Sequence, residues 1–186
     1  STADPVGSGF VDSLSRPGGN ATGFMQFEYS LSAKWLELLK QIAPAVTRAA
    51  VLRDPATTSG VGQFAVIQSV APSVGIEVSP INVRNAGEVE RAVKAFARSS
   101  NVGLIMTAGP LTGTHRDLII TLAAQHKLPA VYNNRSFVDA GGMIALATVD
   151  QRVQFDVNLA PAARAGLKLS SQLLKLARSV SGVQRN

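Results

Sequence analysis

Hydroxyl and carboxylate side chains cluster in one loop of the sequence. Asp54 follows a β-rich run, and Thr57, Thr58 and Ser59 place three hydroxyls just before a helical pattern. Such hydroxyls cap helix N-termini. The free N–H groups and the positive dipole end of the same helix also favour a ligand carboxylate or phosphate. The loop therefore predicts a helix cap and a ligand-binding segment, and the two roles are compatible.

A second loop, residues 107–114, is rich in glycine and threonine. Gly109 and Gly113 allow close approach of a ligand to the backbone, while Thr107 and Thr112 offer polar contacts. This composition predicts a second ligand-binding segment.

A third loop, residues 132–135, supplies an aromatic edge, two amides and a guanidinium. Arg135 could pair with an acidic ligand group, although a solvated surface arginine is the more favoured interpretation of that residue alone. The complete candidate ligand-binding set is Asp54, Thr57, Thr58, Ser59, Thr107, Gly109, Pro110, Thr112, Tyr132, Asn133 and Asn134.

Enzymatic constellations are missing from the sequence. A loose G-x-G-x-x-A run begins at Gly60, but six residues separate it from the preceding strand pattern, which disfavours a dinucleotide site. His115 and His126 have no evident third metal ligand, and neither a nucleophile elbow nor a P-loop is present. We therefore expect no cofactor, no metal and no enzymatic activity.

The charge of the chain is unevenly distributed. The formal net charge is +6, yet residues 1–150 hold 12 basic and 11 acidic residues. Residues 151–186 hold six basic residues against Asp156 alone, and Phe155 is the one aromatic residue among them that could stack on a base. We interpret this excess as a solvated helix face and expect no nucleic-acid partner. Since the chain has no cysteine, disulfides and thiolate chemistry are excluded.

Short apolar strands alternate with helical patterns of about ten to fifteen residues along most of the chain. Strands are predicted at 21–25, 48–53, 76–83, 102–107, 129–132 and 142–147, with helices between them. Nearly continuous apolar strands favour a doubly wound, open parallel sheet of the α/β class. Ligands of such sheets bind beyond the carboxyl ends of the strands. This rule selects four loops, at 54–60, 83–85, 107–114 and 132–137.

The alternation of strand and helix patterns stops after residue 150. Pro161 interrupts any helix that begins at Gln151, and residues 162–180 then show an apolar face that predicts one C-terminal helix. An apolar face without a partner tends to be covered by association. We therefore expect this helix either to fold back on the sheet or to form a homodimer.

One segment has an unusually specific pattern, namely Arg16-Pro17-Gly18-Gly19-Asn20-Ala21-Thr22-Gly23. Segments 34–40, 51–55, 110–116, 128–132 and 137–142 follow it in order. With these segments the chain resembles the ABC-transporter substrate-binding proteins, in the branch that includes tryptophan-binding members. The resemblance covers roughly residues 1–150.

The resemblance implies one lobe of a type I periplasmic-binding fold, in which two α/β lobes close on a small molecule. It implies the end of the first lobe and a crossover at 1–20, the second lobe at 21–147, and a return segment with the C-terminal helix at 148–186. It also implies an ABC permease as partner, a periplasmic or cell-envelope location, and a longer parent protein.

The ligand itself stays open between an amino acid and a small organic acid. Gly109-Pro110 stands where amino-acid-binding members commonly carry Asp-Asn, and Asn134-Arg135 stands where they carry an acidic residue suited to an ammonium group. Two other functions share the architecture: an effector-sensing domain of a transcription regulator, and a doubly wound nucleotide-dependent enzyme.

Overall fold

Helices and strands alternate along the part of the chain that the computed structural model describes, namely residues 6, 9–13, 15–20, 29–149 and 152–182. The helices are α1 (Ser30–Ile42), α2 (Thr58–Val74), α3 (Ala86–Phe96), α4 (Pro110–Thr114), α5 (Arg116–Gln125), α6 (Arg135–Asp139), α7 (Leu159–Arg164) and α8 (Ser171–Leu176). The strands are β1 (Arg48–Arg53), β2 (Glu77–Asn82), β3 (Val102–Met106), β4 (Ala130–Tyr132), β5 (Ile144–Val149), β6 (Arg152–Asn158) and β7 (Ser179–Ser181).

The strands form a single seven-stranded sheet in the order β2-β1-β3-β4-β5-β6-β7. The first five strands of this order are parallel, whereas β6 runs antiparallel to β5 and β7 runs parallel to β6. The predicted doubly wound α/β sheet is therefore confirmed. The strand order reverses between β1 and β3, which makes the crevice between these two strands the expected ligand position. The strand predicted at 21–25 lies outside the described residues.

Apolar strands covered on both faces build the core. Every residue of β3 is buried, as are the four central residues of β1. One cluster of buried residues packs α1 and α2 on one face, and a second packs α3 and α5 on the other. The single tryptophan, Trp35, is 1% exposed and donates its indole N–H to the Leu146 carbonyl at 3.0 Å. Trp35 therefore belongs to the core, and β2, which contains Pro80, is an edge strand of the sheet, where proline is tolerated.

Residues 162–180 do not form the single predicted helix. Helix α7 ends near Gly166, which has φ +73° and so takes the left-handed conformation that terminates helices. Ser170 then caps the separate helix α8 by accepting a hydrogen bond from Leu173 N, and the chain ends its described part in β7. Pro161 lies in the first turn of α7, where proline is tolerated. The prediction of one helix was wrong because apolar spacing alone reveals neither the helix end at Gly166 nor the new helix start at Ser170.

The apolar residues of this C-terminal segment pack on the sheet instead of facing a missing partner. Leu173 is 3% exposed within the core on the α1 side, and Leu167, Leu169, Leu174 and Ala177 pack partly buried against the same core. The continuous apolar face on which the expected homodimer depended is therefore absent. Within the described residues, no helix is both long and apolar enough to cross a membrane.

Candidate functional site

The carboxyl ends of three neighbouring strands lie at one level of the sheet. Leu52 of β1 is in register with Met106 of β3, and Ile105 of β3 with Val131 of β4. The residues that follow these strands are therefore brought to one edge, which we call the carboxyl edge. This edge collects Asp54, Thr107, Ala108, Gly109, Asn133 and Asn134, as the sequence predicted.

Strand β5 extends the carboxyl edge into a wall. Tyr132, the last residue of β4, is in register with Ala145, only the second residue of β5. The next four residues of β5 continue beyond β4 while remaining paired with β6. The β5–β6 hairpin therefore stands about 13 Å above the end of β4, at about 3.3 Å per residue.

Asp54 is a buried carboxylate at the switch point between β1 and β3. The residue is 2% exposed, and its Oδ1 atom accepts a hydrogen bond from Ala56 N at 3.0 Å. Among the described residues, no cationic side chain forms an ion pair with Asp54. Because burial of an unpaired charge is costly, this carboxylate is suited to receive a cationic or hydrogen-bond-donating group from a ligand.

The hydroxyls that follow Asp54 cap helix α2. Thr57 Oγ1 accepts a hydrogen bond from Gly60 N at 3.2 Å and donates one to the Asp54 carbonyl at 3.2 Å. Ser59 is buried, and its hydroxyl donates to Thr57 Oγ1 at 3.3 Å. The capping role predicted for this loop is confirmed, and the hydroxyls of Thr57 and Ser59 serve to hold the loop around Asp54.

Gly60 permits this loop to fold tightly onto the first turn of α2. A Cβ atom placed on Gly60 would lie 2.4 Å from the Asp54 carbonyl oxygen and 3.1 Å from Asp54 N. The glycine at this position is therefore explained by a close approach within the chain and not by a phosphate. This result accords with the sequence argument against a dinucleotide site.

The loop after β3 closes over Asp54 from the other side. A Cβ atom on Gly109 would lie 3.1 Å from Asp54 Cβ and 3.8 Å from Asp54 Oδ2. Pro110, which is exposed, begins α4 immediately afterwards. Gly109 therefore brings backbone close to the carboxylate, while its predicted contact with a ligand stays a prediction.

The two threonines of the candidate set in this loop are structural. Thr107 Oγ1 donates to the Leu52 carbonyl at 2.9 Å, and Thr112 Oγ1 lies within hydrogen-bond distance of the carbonyls of Thr107 and Gly109. Both threonines are at most 1% exposed. Their side chains fix the loop and leave ligand contact to the backbone and to other residues.

Gln63 is a candidate site residue that the sequence analysis does not include. It lies in the second turn of α2, is 1% exposed, and accepts a hydrogen bond from Ala108 N through Oε1 at 2.8 Å. Its Nε2 atom is buried and has no hydrogen-bond partner among the residues that the structure describes. The signal was a polar residue on the buried face that α2 presents through Phe64, Ile67 and Ala71.

The loop after β4 contributes a second unpartnered amide. Asn133 is 5% exposed, and its Oδ1 atom is buried without a hydrogen-bond partner in the described part of the chain. Asn134 caps α6, accepting hydrogen bonds from the backbone and hydroxyl of Ser136 at 2.8 and 2.6 Å. Buried polar atoms without partners are uncommon in folded proteins, so Gln63 and Asn133 mark positions where a ligand would complete the hydrogen bonding.

Tyr132 lies in the core and does not present an aromatic edge to solvent. The residue is 2% exposed, its ring stacks on Phe137 at a centroid distance of 5.1 Å, and burial raises the pKa of its phenol. A Cβ atom on Gly142 would come within 2.7 Å of the ring. The structure thus gives Tyr132 a packing role.

The doubly wound sheet, the switch point and the unpartnered polar atoms are the arrangement expected of an α/β protein that binds a ligand at the carboxyl edge. The family model described as ABC transporter substrate binding protein matches residues 1–157. The chain therefore belongs to this family, which is one of substrate-binding proteins rather than enzymes.

Known proteins similar to the chain agree with this assignment. A curated protein of Clostridioides difficile, named tyrosine-binding protein, is 25% identical over 140 residues, which are 75% of this chain. An ABC domain from Streptococcus pneumoniae in complex with L-Trp has a TM-score of 0.84 at 18% identity and covers 95% of this chain and 70% of its own. A conserved domain protein from Vibrio cholerae has a TM-score of 0.85 at 21% identity, covering 96% of this chain and 69% of its own.

The matched region is only part of the curated relative. The chain spans 40% of the length of the tyrosine-binding protein. The two solved structures, at these identities, show that the fold is shared.

Proposed function

We propose that this chain supplies one wall of the binding cleft of a substrate-binding protein for an ABC importer. Its ligand is a small molecule that carries an amino group, with an amino acid as the favoured class. Such a protein acts in the periplasm or at the cell envelope and delivers its ligand to an ABC permease by closing two lobes around it. Binding is non-covalent, and no cofactor takes part.

The observation that carries this proposal is the environment of Asp54. A carboxylate that is 2% exposed, accepts one hydrogen bond and forms no ion pair among the described residues would be stabilised by a ligand ammonium group. Amino-acid-binding members of the family carry an acidic residue at the place of Asn134-Arg135. We propose that Asp54, in the loop after β1, takes over that role in this chain. The amide groups of Gln63 and Asn133 supply a donor and an acceptor for the remaining polar groups of the ligand.

The tyrosine-binding protein of Clostridioides difficile supports the same ligand class. The name of that protein states an amino-acid ligand, and 75% of this chain aligns with it. We extend that class to this chain as part of the proposal.

Calorimetry with matched ligands tests the proposal. The panel is L-tyrosine, L-tryptophan and L-leucine, each beside its N-acetyl derivative, which has no cationic amine. We expect the free amino acids to bind and the N-acetyl forms to bind at least tenfold more weakly. Since we propose that this chain supplies one wall of the cleft, we expect dissociation constants no tighter than micromolar, a binding free energy of about −8 kcal/mol.

A pair of variants assigns the effect to Asp54. Asp54→Asn keeps an acceptor for Ala56 N but removes the charge, and we expect it to abolish the preference for the free amine. Asp117→Asn, whose carboxylate is exposed at the start of α5, is the control and should leave binding unchanged. Equal binding of free and N-acetylated ligands to the unmodified chain would refute the assignment of Asp54.

A further inference from the structure

Asp156 of β6 lies at the centre of a cluster of charged side chains below the carboxyl edge. The residue is 3% exposed, and the guanidinium of Arg178 binds both of its oxygens, with Nε at 3.0 Å from Oδ1. The Ser179 hydroxyl donates to Oδ1 at 2.6 Å, and Arg135 Nη1 lies 3.9 Å from the same oxygen. One buried carboxylate thus connects the residues leading into β7 with the first residue of α6.

Arg135 links this cluster to the candidate ligand-binding site. It is the first residue of α6, directly after the cap Asn134 and two residues after Asn133, whose Oδ1 atom has no partner. Its guanidinium lies between two carboxylates, with Nε at 3.3 Å from Asp139 and Nη1 at 3.9 Å from Asp156. Asp139 is exposed on the same helix, whereas Asp156 belongs to the sheet. Phe137 packs the middle of α6 on Tyr132, and the contact with Asp156 is the ion pair that ties the first residue of the helix to the sheet.

We propose that Asp156 is a positioning residue for the ligand-binding edge, holding Arg135, and through it Asn133 and Asn134, in register with the end of the sheet. Loss of its charge leaves Arg135 and Arg178, two guanidinium groups, without the carboxylate that they share. Arg135 then keeps the exposed pair with Asp139 of its own helix, which solvent weakens and which does not connect it to the sheet. The same contacts make the attachment of β7 a determinant of ligand affinity. This last consequence rests on the proposed function.

Asp156→Asn tests the positioning role, because asparagine has the same shape and keeps an acceptor for Ser179. The first readout is the nuclear magnetic resonance spectrum of the backbone and side-chain amides of Asn133 and Asn134 in the ligand-free chain. We expect these resonances to shift or broaden in Asp156→Asn. Asp139→Asn is the matched control, since it removes the other carboxylate on Arg135, and we expect it to shift them less.

The second readout is the dissociation constant of whichever amino acid binds the unmodified chain. We expect Asp156→Asn to raise it by about threefold or more, in the range of indirect coupling between residues, and Arg178→Lys to have a smaller effect of the same sign. If no amino acid binds the unmodified chain, the proposed function fails while the resonance test still decides the positioning role.

Unchanged Asn133 and Asn134 resonances in folded Asp156→Asn would overturn the inference and leave Asp156 a purely structural residue. Should Asp156→Asn fail to fold, Arg135→Gln removes the link from the other end, on an exposed residue. Resonances of Asn133 and Asn134 unchanged in that variant would be equally decisive against the inference.

Discussion

Replacing Gly60 by alanine tests whether the loop around Asp54 depends on the close approach seen in the structure. The added Cβ would lie 2.4 Å from the Asp54 carbonyl oxygen, whereas real Cβ contacts stay above 3.0 Å. The obstructing atom belongs to the backbone, so a side-chain rotation cannot relieve the contact, and the loop or the first turn of α2 must shift by roughly half an ångström.

Two opposing terms set the expected magnitude. Overpacking against backbone costs about 1–3 kcal/mol, and the upper part of this range applies at such a short distance. Alanine gains back up to about 1 kcal/mol over glycine as a helical residue. The net loss is about 1–2 kcal/mol, which lowers the midpoint of thermal unfolding by about 2–8 °C for a chain of this size.

Thermal unfolding followed by circular dichroism measures this change, with Gly113→Ala as the matched control. Gly113 also lies in a helix, but a Cβ placed there meets no atom within 4 Å. This control should be neutral or more stable than the unmodified chain by about 0.5–1 kcal/mol. A Gly60→Ala variant that melts at or above the unmodified temperature would refute the reasoning, because the close approach would then not require glycine.

Two other predictions concern a helix end and the buried carboxylate. Lys127→Gly should stabilise the chain by about 1 kcal/mol, because Lys127 has φ +53° at the end of α5; Lys127→Ala should not, and equal midpoints of thermal unfolding for the two variants would contradict this. Burial alone would raise the pKa of Asp156, but hydrogen bonds from Arg178 and Ser179 and the charges of Arg178 and Arg135 lower it below its usual range. The charge of Asp156 thus stabilises the fold above the pKa of about 4 in the unfolded chain, and this contribution is lost as the pH falls through the lower folded value. The midpoint difference between the unmodified chain and Asp156→Asn, measured from pH 7 to pH 2, should therefore shrink below about pH 4, and a difference independent of pH would contradict the assignment.

The parallel sheet and its edge could be predicted because their signals are local. The runs at β1 and β3 are apolar throughout, and a strand covered on both faces requires that pattern. Asp54 is the residue directly after such a strand. The rule that ligands bind beyond the carboxyl ends of the strands in doubly wound sheets is therefore enough to predict its position at the carboxyl edge.

The continuous apolar pattern of these strands does not show which way an individual side chain points. In a strand buried on both faces, the sequence does not distinguish a final residue that points into the core from one that reaches the edge. Tyr132 was expected at the edge for this reason, and it lies under α6 beside Phe137. Gln63 was missed because its partner, Ala108, is distant in sequence and meets it only once the sheet is assembled.

Strand β6 had a sequence signal that went unused. Val153, Phe155 and Val157 alternate with polar residues through β6, which is the period of a strand with one buried face. Pro161 and the helical spacing after it form a more prominent pattern than this alternation. The local signal is present, but the predicted sheet is parallel throughout and contains no antiparallel strand after β5.

The hydrogen bond from Trp35 to the Leu146 carbonyl gives the chain an intrinsic optical probe. Trp35 is the only tryptophan, so fluorescence emission excited at its absorption edge comes from one known place. Its indole contacts β5 at the residue after Ala145, level with Asn133, where the wall above the carboxyl edge begins. A ligand without an indole that presses on this wall would change the surroundings of the fluorophore, so occupancy can be followed without an attached dye.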